Sequence, residues 1–435
     1  MSGFDQSGAP APISVPASIT DPACFGFAPC EGGVCAAEGI RAAGVHAGFR
    51  ADPNRLDLAL VAADAPCTCA ATFTQNRFCA APVQVSRPRA ATGHAQAVVL
   101  NSGNANASTG EPGVQTAIAS AALVAKALGC AEEDVLVAST GVIGVQLPLG
   151  PYETGVPAAA AALAHSPEAA HTAARAVMTT DTVPKEVSFE GTVPSGTDGA
   201  PVTVHVGGFV KGSGMIMPNM ATMLCVLSTD APLTAEAAQV ALSSAVSQTF
   251  NKVTVDSDTS TNDTCILLAT GAAGGETITA DSPAFAQVAA AIRCACENLA
   301  RKIAADGEGA TKLVTVDVVG AATPEDADTV ARSIANSPLV KTAIFGHDAN
   351  WGRVAGAAGK CGVVFDQYGV DIDFLGVPVL RSGLPLPMDE EDMLRRFEEP
   401  EVTIAVDLGS GDASARIWTC DLTHDYVTIN GDYRT

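Results

Sequence analysis

The chain lacks any run of eighteen strongly apolar residues in its 435, so no membrane-spanning helix is expected. Basic residues are scarce. There are 24 Lys and Arg against 47 Asp and Glu, a net charge of −23 at pH 7. Such a surface repels phosphate backbones, which argues against nucleic-acid binding, and repels anionic lipid headgroups, which argues against membrane partners. Histidine is sparse as well, and none of the seven shows metal-ligand spacing such as HExxH, so no metal site is expected from them. The first eight residues have neither a basic stretch nor an apolar core. No secretory leader is read there, and a cytoplasmic setting is expected.

What is present fits a soluble globular protein with ample core: 47% hydrophobic and 16% charged residues. The length suggests two or three domains. The 13 cysteines are odd in number and include no CxxC, so a disulfide framework is not expected. Cys24, Cys30 and Cys35 are closely spaced, but three thiols without a fourth ligand read as free.

Residues 1–35, rich in Pro, Gly, Ala and Ser without periodicity, read as a flexible extension. Strands are expected at 56–62, 95–100 and 135–138, the last delivering Ser139-Thr-Gly141 at its end. Val114 to Leu128 reads as an Ala-rich helix stopped by Gly129. Residues 158–176 read as helical, with a break near Ser166-Pro167, and 202–210 as a strand. Thr234 is positioned to cap a helix reaching about Thr249. A strand at 264–269, a helix at 283–305 and a strand at 312–319 follow. Thr323-Pro324 opens a further helix with Pro at its first position. The last hundred residues read as short strands with turns at Gly376, Gly383 and Gly409-Ser-Gly411, interrupted by a helix at 389–397. The alternation indicates an α/β protein.

One segment points to chemistry: Lys211-Gly-Ser-Gly-Met-Ile-Met-Pro-Asn-Met-Ala-Thr-Met-Leu224. Its Gly-rich bend delivers Thr222, preceded by small Ala221, into the apolar run Met223-Leu-Cys-Val-Leu227. A threonine hydroxyl is a poor nucleophile without an adjacent base. Cutting the chain before Thr222 supplies one, because an α-amine titrates near pH ~8. The plainer alternative is a glycine turn feeding a buried strand in which the threonine is an ordinary β-former.

The same segment resembles the self-cleavage site of the ornithine acetyltransferase family, the bifunctional glutamate N-acetyltransferases of arginine biosynthesis. Other segments match that family in order. They are Gly39-Ile-Arg-Ala-Ala-Gly-Val-His-Ala-Gly48, Asn101-Ser-Gly-Asn-Ala-Asn-Ala107, Ser139-Thr-Gly-Val-Ile-Gly144, Met178-Thr-Thr-Asp-Thr182, Asp306-Gly-Glu-Gly-Ala-Thr311, Asp348-Ala-Asn-Trp-Gly-Arg353 and Ile429-Asn-Gly-Asp-Tyr-Arg-Thr435.

The resemblance implies an αββα layered sandwich similar to N-terminal-nucleophile hydrolases, spanning about 36–310. A second, smaller α/β domain at 311–435 is implied to complete the active site. It implies self-cleavage between Ala221 and Thr222, and a heterotetramer with two copies each of chains 1–221 and 222–435. The implied reaction moves acetyl from N2-acetyl-L-ornithine to L-glutamate by a ping-pong route through acetyl-Thr222. Thr140 and Gly141 form the implied oxyanion hole. Substrate contacts fall on Thr179, Lys211, Thr222, Glu308, Asn430 and Thr435. Lys211 is suited to a substrate carboxylate and Glu308 to a substrate ammonium, although solvated surface charge is the usual fate of both residue types. No cofactor and no metal are implied, and the use of acetyl-CoA as a second donor to glutamate is left open. Asp348, Asn350, Trp351 and Arg353 either line the cleft or form a hydrogen-bonded turn. Two other classes stay in play. One is amide hydrolysis of the self-cleaving aminopeptidase type, which commonly uses serine. The other is an inert binding protein whose chain stays whole. The threonine and the terminal segment favour transfer.

Overall fold

The computed structural model describes residues 10–195, 200–217 and 223–432. It divides into two compact units, the larger drawn from Ile19–Asn251 and Asp258–Asp306, the smaller chiefly from Gly307–Asp432.

In the larger unit the strands are β1 (Phe27–Pro29), β2 (Ile40–Val45), β3 (Leu58–Phe73), β4 (His94–Asn104), β5 (Val135–Val142), β6 (Lys185–Ser195), β7 (Ala200–Lys211), β8 (Leu224–Thr229) and β9 (Thr264–Ala269). The helices are α1 (Ala81–Ala90), α2 (Gly110–Leu128), α3 (Gly150–Ala162), α4 (Pro167–Ala176), α5 (Ala235–Gln248) and α6 (Phe285–Ala305). Among the described residues the strands run in the order β1-β6-β7-β8-β9-β3-β4-β5, with β2 also on β3.

The long β3 turns this path into a sandwich. Its first half pairs with β2 and β4, and its second half with β9. The β4 register breaks between Ala62 and Cys67, where Asp64, Ala65 and Pro66 are exposed. A proline cannot donate to the ladder; beyond it β3 meets β4 only at Cys67 and Thr68 before β9 becomes its partner. Alternating residues then fill two different cores. Ala59, Val61, Val98, Leu100, Leu136 and Ala138 share one cluster with Phe209, Leu224, Val226, Ile266 and Leu268 from the opposite half. Leu58, Leu60, Val99 and Val137 face outward and pack with α2 and α3. Against the opposite half lie α5, on β3, and α6, on β6 and β7. The order is helices, sheet, sheet, helices: the αββα layering that the resemblance implies, with mixed parallel and antiparallel pairing.

The smaller unit holds β10 (Leu313–Ala321), α7 (Pro324–Ala335), α8 (Pro338–Phe345), α9 (Trp351–Gly359), β11 (Asp371–Phe374), β12 (Val377–Arg381), β13 (Leu384–Pro385), α10 (Glu390–Arg396), β14 (Glu401–Asp407), β15 (Ala413–Cys420) and α11 (His424–Asp432). Its sheet order is β13-β12-β11-β14-β10-β15. Val316, Val318, Val330, Ile334, Ile372, Ile404 and Ile417 build its core.

Helix ends follow the side chains expected to set them. Thr234 accepts from the Ala237 amide and Thr323 from the Asp326 amide, and Gly129 closes α2 at φ 72°. Three differences have local causes. Residues 22–35 are structured where composition reads as a loose extension. β1 pairs with β6, and the Phe27 ring fills the space a Cβ on Gly191 would take. α1 is hidden in sequence by two prolines, one harmless at its start and one in its last turn. α9 is masked by three glycines in nine residues, poor helix formers that here follow an Asn350 cap.

Candidate active site

β4 and β5 run parallel and end side by side. The end of β5 carries Thr140 and Gly141. Gly141 sits at φ 131°, and a Cβ there would lie 2.3 Å from the Gly103 carbonyl carbon and 2.5 Å from the Asn104 nitrogen. Only glycine fits that approach. The Asn101–Ala107 segment braces the turn. Asn101 donates to the Asn104 carbonyl at 2.9 Å, and Asn104 donates to the Val145 carbonyl at 3.1 Å. Asn262 donates to both the Ala105 carbonyl (2.6 Å) and the Ser139 carbonyl (2.9 Å).

Thr140 is 7% exposed, and its hydroxyl oxygen accepts from Lys211 Nζ at 3.3 Å. Lys211 ends β7 opposite Leu224 of β8 and is only 3% exposed, so the solvated-charge alternative fails for it. Thr222 and Ala221 lie outside the described residues, two and three positions before Leu224.

Lys211 belongs to a buried charge network that the sequence reading did not assemble. Asp181 accepts from Lys185 Nζ at 2.7 Å and from the Gly212 amide at 2.8 Å. Lys185 also donates to Asp306, whose second partner is the Thr182 hydroxyl. The Asp306 carbonyl in turn accepts from Ser213 at 2.7 Å. Burial alone would raise the Asp181 pKa, but the Lys211 and Lys185 charges outweigh it and hold the carboxyl well below the usual carboxylate range. Thr179, half-buried, donates its amide to Asp181 at 3.0 Å and so sits at the rim of this network. The left-handed residue of the 211–217 bend is Met215, at φ 55°, and neither Gly212 nor Gly214 takes that conformation. A non-glycine residue there costs roughly 1–2 kcal/mol.

Asp263 is the second group missed in sequence. It lies in a run, Ser260 to Thr264, of five consecutive buried polar residues. Such a run leading into an apolar strand is the signal that could have found it. Its Oδ1 accepts the Met223 amide at 3.0 Å. Burial pushes its carboxyl well above the ordinary range, and the Met223 amide and the Lys211 charge offset this only in part.

In the smaller unit Glu308 and Asn430 come together, Asn430 Nδ2 donating to Glu308 Oε2 at 2.8 Å. Glu308 is 8% exposed. The neighbouring Gly309 has φ 69°, and a Cβ there would lie 2.5 Å from the Tyr426 nitrogen, so this loop is pressed against the first turn of α11. Thr435 lies outside the described residues. The Asp348–Arg353 cluster is a hydrogen-bonded turn. Asn350 caps α9 by accepting from the Arg353 amide at 3.0 Å, and Arg353 Nη1 donates to the Leu339 carbonyl at 2.8 Å. Cys24, Cys30 and Cys35 are free thiols. Among the described residues no group of His, Cys, Asp or Glu could hold a metal ion, and no helix is long and apolar enough to cross a membrane.

The sequence pattern of the ArgJ family matches residues 41–435. The chain belongs to the ArgJ family. It is 48% identical over 405 residues to the arginine biosynthesis bifunctional protein ArgJ of Symbiobacterium thermophilum, covering 93% of this chain and 99% of that one. It is 43% identical to the ArgJ of Geobacillus kaustophilus, covering 93% and 97%. A solved ornithine acetyltransferase from Mycobacterium tuberculosis, complexed with ornithine, is 39% identical. It covers 44% of this chain and 97% of that one, with a TM-score of 0.39. The ArgJ match spans both the Thr140–Lys211 pair and the Glu308–Asn430 pair, and residues 1–40 fall outside it.

Proposed function

We propose that this chain cuts itself between Ala221 and Thr222, and that the freed Thr222 carries acetyl from N2-acetyl-L-ornithine to L-glutamate. As a member of the ArgJ family the chain is an acetyltransferase of arginine biosynthesis. The residue-level route is the proposal. The Thr222 amine takes the proton of its own hydroxyl, the oxygen attacks the N-acetyl carbonyl, and ornithine leaves. Glutamate then accepts the acetyl group from Thr222, in the ping-pong order of a covalent intermediate.

The observation that carries this reading is the Lys211–Thr140 contact. It ties the end of β5, with its Gly141 amide, to the strand directly paired with β8, into which Thr222 leads. A hydroxyl whose oxygen accepts from an ammonium directs its own proton elsewhere, and a developing oxyanion is a suitable acceptor. In the same reading Lys211 takes the substrate carboxylate, Glu308 with Asn430 takes the ammonium, and Thr179 and Thr435 complete the contacts. The working form is two copies each of 1–221 and 222–435, cytoplasmic, without a cofactor. Acetyl-CoA serves, if at all, as a substrate.

The test is direct. Purified protein is assayed with N-acetylornithine plus glutamate, then with acetyl-CoA plus glutamate, beside Thr222→Ala. The account requires ornithine and N-acetylglutamate from the first mixture, and a whole, inactive variant. Acetate release without an acceptor amine would move the reading to hydrolysis.

A further inference from the structure

Among the buried ionisable groups that the mechanism above leaves unused, Asp263 holds the backbone next in sequence to Thr222. Asp263 precedes β9 and is 1% exposed. Its Oδ1 holds the amide of Met223, the residue bonded directly to Thr222, at 3.0 Å. Its Oδ2 is buried and has no hydrogen-bond partner among the described residues. An unpartnered carboxyl oxygen inside a core is costly, and the Thr74 and Ser260 hydroxyls beside the carboxyl counter the effect of burial only in part. The nearby Thr74 hydroxyl spends its proton on the Ser260 carbonyl at 2.7 Å. The acid is therefore held at the nucleophile's own peptide with one oxygen anchored and one free.

We propose that Asp263 is the proton donor of self-cleavage, an inference that rests on the reading of Thr222 given above. In the N-to-O shift the Thr222 Oγ–H bond breaks and Oγ bonds to the Ala221 carbonyl carbon. The bond from that carbon to the Thr222 nitrogen then breaks. The leaving nitrogen must gain a proton. Asp263 Oδ2–H supplies it while the same carboxyl group takes up the proton released by the threonine hydroxyl, in one concerted exchange, so the shift is neutral overall. Water then hydrolyses the ester and frees residues 1–221. Burial suits this role, because it pushes the carboxyl well above its ordinary range and so favours the form that carries the proton. The charged group set against it among the described residues is Lys211, from β7. Thr74, Ser260 and Met223 are neutral groups whose hydrogen bonding also draws the carboxyl down, against the larger effect of burial.

The full-length chain is synthesised cell-free, and the intact fraction is followed on denaturing gels. Asp263→Asn keeps an oxygen for the Met223 amide but has no acidic proton. It should cleave about 100-fold or more slowly, the usual contribution of general acid catalysis. Asp263→Ala should be no faster. Wild-type cleavage should also slow with rising alkalinity, by about tenfold per pH unit once the acid is ionised; this second readout needs no variant to fold. Asp263→Asn cleaving at the wild-type rate overturns the proposal, since the anchor alone then suffices, and so does a wild-type rate that keeps rising with pH. A wild-type chain that never cleaves overturns the Thr222 reading itself, and is told apart by that control.

Discussion

Lys211 Nζ donates to Thr140 Oγ1 across 3.3 Å, joining the ends of two strands that lie 71 residues apart in sequence. The contact leaves the Thr140 proton free for a different acceptor. Thr140→Ala should lower kcat for acetyl transfer by ~100-fold or more, the usual loss for one oxyanion donor, with KM for N-acetylornithine little changed. Steady-state kinetics on the mature protein decide it. A kcat within about twofold of wild type would remove Thr140 from the chemistry.

Gly141 and Gly144 provide a matched pair. Both have positive φ, 131° and 81°, but a Cβ on Gly144 meets nothing within 4 Å, whereas one on Gly141 strikes the Gly103 backbone. Gly144→Ala should cost only its backbone strain, roughly 1–2 kcal/mol in urea unfolding. Gly141→Ala should lose considerably more and should abolish turnover, because strand β5 must shift. Equal stability for the two variants would show that β5 has room the structure does not give it.

Much of this was legible in the sequence, and the rest was not for physical reasons. The Thr234 and Thr323 caps and the Gly129 stop are set by local hydrogen bonds and backbone freedom, so a few adjacent residues reveal them. The same locality made Thr140 and Gly141 readable as a turn, and the family pattern then supplied their role. Asp181, Lys185 and Asp306 are different. They meet only because β6 begins beside the Gly212 bend, while Asp306 arrives from the end of α6, 121 residues beyond Lys185. No periodicity encodes such a meeting. The segment 22–35 misled for the opposite reason: its Pro- and Gly-rich composition carries no pattern, yet Phe27 finds a glycine to pack on.

The charge network sets a pH dependence. Asp181 is held below its ordinary pKa by Lys211 and Lys185 against the opposing effect of burial. A depressed carboxylate stabilises the fold above its unfolded pKa, about 3.9, and that contribution fades as pH falls below it. Asp181→Asn should therefore lose ~3–5 kcal/mol near neutral pH, as expected when one partner of a buried pair is removed. Its deficit should shrink as pH falls below about 4. Urea unfolding across that range measures it. A deficit independent of pH would mean that the carboxylate charge does not contribute.

The central claim is that Thr222 carries the acetyl group. The most direct measurement mixes the mature protein with N-acetylornithine, omits glutamate, and takes the intact mass of each fragment. The account predicts two fragments, with the one beginning Thr-Met-Leu-Cys heavier by a single acetyl group that disappears when glutamate is added. An uncut chain, or cut fragments that never gain that mass while turnover proceeds, would contradict it.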